Sequence, residues 1–97
     1  MKTITICGSL KYKDTMLLIA EKLTLQGNVV ITPNFPTRDN YSDEEIHIFN
    51  MMHKEKIKMS DAVFIVNVDG YIGKATQSEI DLATKLNKEI IYYTDKA

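Results

Sequence analysis

The chain has 97 residues, 44% of them apolar and 26% charged, with a formal net charge of −1. This describes one small globular domain over residues 1–97, able to bury roughly 60–70% of the surface its unfolded form would expose. The balance excludes the basic field of a nucleic-acid binder. No apolar stretch approaches the ~20 residues that cross a bilayer, and the single cysteine, Cys7, can make neither an intramolecular disulfide nor a zinc site built from cysteines.

The amino-terminal run Met1-Lys2-Thr3-Ile4-Thr5-Ile6 is too short for a signal peptide and alternates like a strand, so a cytoplasmic location is expected. Thr3 to Cys7 is β-branched and stops at Gly8-Ser9, a first strand. Met16, Ile19, Ala20 and Leu23 have helical spacing, and Gly27 suits a left-handed helix end. Val29 to Thr32 is a second strand broken by Pro33, and Asn34 to Tyr41 is loop. Ser42-Asp43-Glu44-Glu45 is a capping box opening a helix to about Met59. Asp61 to Val68 is a third strand, with Asp61 capping the turn into it. Thr76 to about Asn87 is a third helix, and Glu89 to Thr94 a last strand.

Continuous apolar strands imply a sheet covered on both faces. With short connections and right-handed crossovers, the β-α-β-α-β-α-β order gives an α/β, doubly wound parallel sheet of about four strands, flavodoxin-like in the order 2-1-3-4. Ligands of such sheets bind beyond the carboxyl ends of the strands where the order reverses, here between strands one and three. Gly8-Ser9-Leu10 and Asn67-Val68-Asp69-Gly70-Tyr71 meet at that point.

Three features there could carry chemistry. Glu79 shares a stripe with Leu82, Ala83 and Leu86, which puts a carboxylate in the buried face of the third helix, in its first turn. Burial raises the pKa of such a group and a helix amino terminus lowers it. A second reading stands beside this one: Thr76-Gln77-Ser78-Glu79 is a capping box, with Glu79 reaching back to the Thr76 backbone. The turns Gly8-Ser9 and Gly70-Tyr71-Ile72-Gly73 either leave backbone N–H groups for an anion or hydroxyl, or are plain turns; neither is a P-loop or a dinucleotide fingerprint. His53 shares a face with Ile46, Phe49 and Ile57, as a hydrogen-bonded core residue or a site residue. His47 points elsewhere, so no metal pair is expected, and Arg38 either is solvated or meets a phosphate. A second apolar row on the same helix, Ile48, Met51, Met52 and Met59, suits a partner subunit.

Ile6-Cys7-Gly8-Ser9-Leu10, Ser60-Asp61-Ala62-Val63-Phe64-Ile65-Val66, and Gly73 through Ser78-Glu79-Ile80 to Ala83 together resemble the nucleoside 2-deoxyribosyltransferase family, including the 2′-deoxynucleoside 5′-phosphate N-hydrolases. The family shows a "CGS" turn, an "ADVVV"-like strand and a glutamate-bearing helix start at these places. The resemblance covers nearly the whole chain. It implies a flavodoxin-like fold, a homodimer or higher homo-oligomer, and Glu79 as a glutamate nucleophile. It also implies Gly8, Ser9 and Leu10 against sugar or phosphate, and a site walled by Asn67, Gly70 and Tyr71. His53, Gly73 and Ser78 complete the candidate substrate-binding set. His53 stands where the family carries an aspartate, Lys11-Tyr12-Lys13 where its hydrolase branch has an arginine-bearing glycine-rich loop, and Lys74-Ala75-Thr76-Gln77 where it has an acidic, glycine-rich turn. The implied activity is N-glycosidic bond cleavage or deoxyribosyl transfer on a nucleoside or nucleoside 5′-monophosphate, without metal or other cofactor. The alternative is a non-catalytic nucleotide- or nucleoside-binding module on the same fold.

Overall fold

A computed structural model describes residues 1–96, Lys96 by its backbone alone. Four strands, β1 (Thr3–Gly8), β2 (Val29–Ile31), β3 (Ala62–Val66) and β4 (Glu89–Tyr92), alternate with three helices, α1 (Lys13–Leu25), α2 (Asp43–Lys58) and α3 (Lys74–Lys85). The strands form one parallel sheet in the order β2-β1-β3-β4, the flavodoxin-like arrangement. Short 3-10 turns follow β1, β3 and β4, at Leu10–Tyr12, Val68–Gly70 and Tyr93–Lys96. No helix among the described residues is long and apolar enough to cross a membrane.

The alternation of a strand explains the two cores. Ile4 and Ile6 of β1 and Ala62, Phe64 and Val66 of β3 face α1, packed on Met16 and flanked by Ile19, Ala20 and Leu23. Cys7, Val63 and Ile65 face the other way, against Ile57 of α2 and Ile80 and Ala83 of α3. Both faces of β3 are therefore covered, and its five residues are all buried, as an unbroken apolar run requires. Thr5 is the polar exception in the middle of β1. It is fully buried, and its hydroxyl sits 2.6 Å from that of Ser60 and 3.2 Å from the Lys56 carbonyl, so its desolvation is compensated. Asp61 accepts from the Thr3 backbone N–H at 2.8 Å and so joins the starts of β1 and β3, rather than capping a turn within its own segment.

Helix ends follow local chemistry. Ser42 caps α2, and both arms of its box with Glu45 are made. Gly27 and Asn87 take the left-handed positions after α1 and α3, at φ of 93° and 58°. The hydrogen bonds Asn28 to Leu23 and Lys88 to Ala83 close the two ends in Schellman fashion.

Two expectations for α3 need correction. It starts at Lys74 with Gly73 as the cap residue, so Thr76 lies inside it, buried, and the Thr76–Glu79 capping box does not form. The first intrahelical bond runs from Gln77 N–H to the Gly73 carbonyl at 2.9 Å. Glu79 consequently sits in the second turn, not the first, where the helix-end field has largely faded. The buried face is Thr76, Ile80 and Ala83, while Leu86 is 38% exposed. The stripe is thus rotated by about one residue, and Glu79 lies at its edge instead of its centre. β3 also ends earlier than expected, at Val66, because Asn67 leaves the extended conformation (φ −106°, ψ 65°) and a 3-10 turn follows at Val68–Gly70.

Candidate active site

The carboxyl ends of β1 and β3, the third turn of α2 and the second turn of α3 converge on one edge of the sheet. Three titratable side chains meet there. The Cys7 Sγ lies 3.4 Å from His53 Nε2, and His53 Nε2 lies 3.7 Å from Glu79 Oε1. All three ligand atoms fall within 4.8 Å of one another. Cys7 is fully buried, and the side chains of His53 and Glu79 keep only 9% and 14% of their surface.

Burial sets their protonation. It pushes the Glu79 carboxyl up to about 7, against the lowering effects of a hydrogen bond with the Cys7 thiol and of the Lys54 charge. It pushes His53 down to about 4, and the Lys56 charge acts in the same direction. Burial, then the Glu79 charge and its hydrogen bond, hold the Cys7 thiol well above its ordinary range. The His53–Glu79 contact has the partners of an ion pair, but imidazolium and carboxylate are never the major forms at the same pH. It is a contact between a neutral ring and a carboxyl group.

The arrangement is not a thiol–imidazole–carboxylate relay. A relay holds Nδ1 with the acid and turns Nε2 to the nucleophile. Here thiol and carboxyl both approach Nε2, and buried Nδ1 has no hydrogen-bond partner among the described residues. Cys7, kept as a thiol, is a donor rather than a nucleophile.

A cleft of about 420 Å³ opens over His53 and Glu79. Its size suits a small organic ligand. Gly8, Ser9 and Leu10 form one wall and Tyr71, Gly73, Lys74, Ala75 and Thr76 the other. Pro33 and Asn34, after β2, and Phe49 and Asn50 of α2 close the remaining side. At its mouth Lys11 Nζ stands 3.9 Å from the centre of the Tyr71 ring, and Tyr12 meets that ring edge-on at 6.3 Å. A larger concavity of about 510 Å³ lies on the α1 face, over Ile4, Phe64, Ile91 and Tyr93; Lys2 and Lys22 line it, but no histidine, cysteine or carboxylate among the described residues does.

The sequence-predicted residues fall into two groups. Gly8, Ser9, Leu10, His53, Tyr71, Gly73 and Glu79 share the cleft. Asn67, Gly70 and Ser78 do not line it. Asn67 is buried and spends its amide on Thr94, donating to its hydroxyl and accepting from its backbone N–H, both at 3.2 Å. Gly70 closes a turn through its N–H to the Asn67 carbonyl, and Ser78 is exposed on the far side of α3 from the buried face. A Cβ at Gly73 would stand 3.2 Å from the Tyr71 hydroxyl, the free end of a half-exposed side chain that can give way. Arg38 is exposed, paired with Glu45 and set 4.4 Å over the Tyr41 ring. Cys7 was legible only as a small strand residue; its partner lies 46 residues on, in another element. Pro33 and Asn34 had one signal, their position just after a strand's carboxyl end.

No protein-family model matches the chain, and comparison with curated proteins gives no match either.

Proposed function

We propose that this protein cleaves or transfers the N-glycosidic bond of a nucleoside or nucleoside 5′-monophosphate, with Glu79 as the nucleophile. The observation that carries this reading is the placement of Glu79. A nearly buried carboxyl, titrating near neutrality, borders an open cleft whose facing wall is the Gly8-Ser9-Leu10 turn. Desolvated groups matched to the working pH are a signature of acid–base and nucleophilic sites. The motif resemblance to nucleoside 2-deoxyribosyltransferases supplies the substrate class.

The chemistry balances without a cofactor. The C1′–N bond breaks with its electron pair leaving on the base, which takes a proton from solvent. The ionised Glu79 oxygen bonds to C1′ through an oxocarbenium-like state, as in retaining glycosidases. Water then adds at C1′, the ester bond breaks, and the water's second proton returns to solvent; a second base in place of water gives transfer. The buried Cys7 thiol, in contact with His53 Nε2 at 3.4 Å, and the neutral His53 ring, 3.7 Å from the carboxylate, pack behind Glu79 and shield it from water. The Gly8–Ser9 turn takes the sugar or its phosphate, and the aromatic mouth at Tyr71 takes the base. The protein works as a homo-oligomer, with the outer row of α2 as the contact; Ile48, Met51, Met52 and Met59 are each about half exposed or more.

A non-catalytic binding module remains the second reading, favoured by one observation: the Glu79 carboxyl is crowded by His53 at 3.7 Å and by the buried Cys7 thiol within 4.8 Å. Chromatography of free base separates the two. Deoxyribonucleosides and their 5′-monophosphates are incubated in chelator with wild type and with Glu79→Gln, with and without an acceptor base. Release or exchange by wild type, reduced roughly 10³-fold or more in the variant, is expected for loss of a nucleophile. Ligand binding that survives Glu79→Gln, without base release, would leave the binding module.

A further inference from the structure

Cys7, His53 and Glu79 come from β1, α2 and α3, so no spacing motif announces them as a set. In space they present one sulfur, one imidazole nitrogen and one carboxylate oxygen to a common point. A tetrahedral zinc ion, with bonds of about 2.0–2.3 Å, holds its ligand atoms roughly 3.3–3.6 Å apart. The observed separations are 3.4 Å for sulfur to nitrogen and 3.7 Å for nitrogen to oxygen, with sulfur and oxygen no more than 4.8 Å apart. Closing the set requires the Glu79 carboxylate to move toward the sulfur and the ring nitrogen. We propose that these three residues form a binding site for a thiophilic divalent cation of the zinc class, with its fourth position open to the cleft.

The donor set selects the ion. Thiolate and imidazole favour zinc and its neighbours over magnesium or calcium, which take oxygen ligands. On binding, a sulfur–metal bond replaces the S–H bond of Cys7 and the proton leaves to buffer. Coordination at Nε2 places the ring proton of His53 on Nδ1, which has no acceptor among the described residues. Ligating histidines are ordinarily held by such an acceptor, and its loss costs about 10–100-fold in affinity. The ion is therefore exchangeable, suited to control rather than to holding the fold. It ties down the carboxylate that would attack C1′, so it inhibits; that consequence rests on the glycosidase reading, whereas binding does not.

Cobalt(II) is the direct probe, added to reduced protein freed of metal by chelator. The expected result is a thiolate-to-cobalt charge-transfer band with tetrahedral d–d bands, saturating at one ion per chain and displaced by Zn2+. The charge-transfer band disappears in Cys7→Ser, with the fold of that variant checked by circular dichroism, and persists in His47→Ala. No band at saturating cobalt in folded wild type overturns the proposal. So does a charge-transfer band that is unchanged in folded His53→Ala or that vanishes in His47→Ala, either of which marks cobalt bound to Cys7 outside the three-residue site. Base release is measured separately in chelator and after Zn2+ addition. Failure there in chelator removes the glycosidase reading and leaves the spectroscopic result standing; activity unaffected by saturating Zn2+, with the band present, overturns the inhibitory role.

Discussion

Glu79 is costly to the fold in its ionised form, because its carboxyl is desolvated without a cation in contact. In metal-free buffer, base release measured as kcat/KM is expected to rise with pH through about 7 and level off above, as the nucleophile ionises. A profile flat from pH 5 to 9 would remove Glu79 from the chemistry. Gly8 is constrained in a different way. It has φ of 156°, and a Cβ there would stand 2.9 Å from the Met16 terminal methyl and 3.0 Å from the Val66 carbonyl oxygen. The methyl can move, but the carbonyl belongs to the β1–β3 ladder and cannot. Gly8→Ala is expected to cost about 1–3 kcal/mol in denaturant unfolding and to weaken substrate binding, since the same turn lines the cleft.

Helix starts show how far local sequence carries the structure. Two stretches have the same Ser/Thr-x-x-Glu signature. At Ser42 the chain arrives extended from a loop, the side chain is exposed, and the box forms in full; Ser42→Ala is expected to cost about 1 kcal/mol in thermal unfolding. At Thr76 the extended residue comes three positions earlier, at Gly73, and Lys74 and Ala75 continue as good helix formers. Thr76 is then drawn into the core and cannot cap. The same change predicts that Thr76→Ala costs no capping energy. The strands and their order were legible, because period, glycine stops and βαβ handedness are local or topological. The burial of Glu79 was legible too, since helical spacing placed it on the inner side of the third helix. The Cys7–His53–Glu79 cluster was not, since three separate elements build it and only packing sets their distances. Asn67 looked like a site residue because it ends a strand at the switch point, but its amide is consumed by the returning chain at Thr94.

At the scale of the whole molecule, the buried pair shapes stability against pH. Between about 4.5 and 7 the folded chain keeps a proton on Glu79 that the unfolded chain has lost, so stability falls as pH rises. Between about 4 and 6.5 the unfolded chain holds a proton on His53 that the folded chain lacks, so stability rises. The two effects oppose each other, and metal-free wild type is expected to change little from these groups between about pH 4.5 and 6.5. In Glu79→Gln the histidine effect stands alone, a rise on the order of 3 kcal/mol from pH 4 to 7, and the variant is more stable than wild type at pH 8. Urea unfolding across that range checks both; parallel curves for the two proteins would contradict the protonation states assigned to the site. Self-association through α2 predicts that Met52→Lys lowers the mass seen in sedimentation equilibrium, while an unchanged mass places the contact elsewhere.

The proposed function rests on attack of Glu79 at C1′. Rapid acid quench of metal-free enzyme with each nucleoside or nucleotide of the panel, followed by peptide mass spectrometry, tests it most directly. A deoxyribosyl group is expected on the peptide that carries Glu79, absent from Glu79→Gln. Base release without that adduct, or an adduct on another residue such as Cys7, would contradict it.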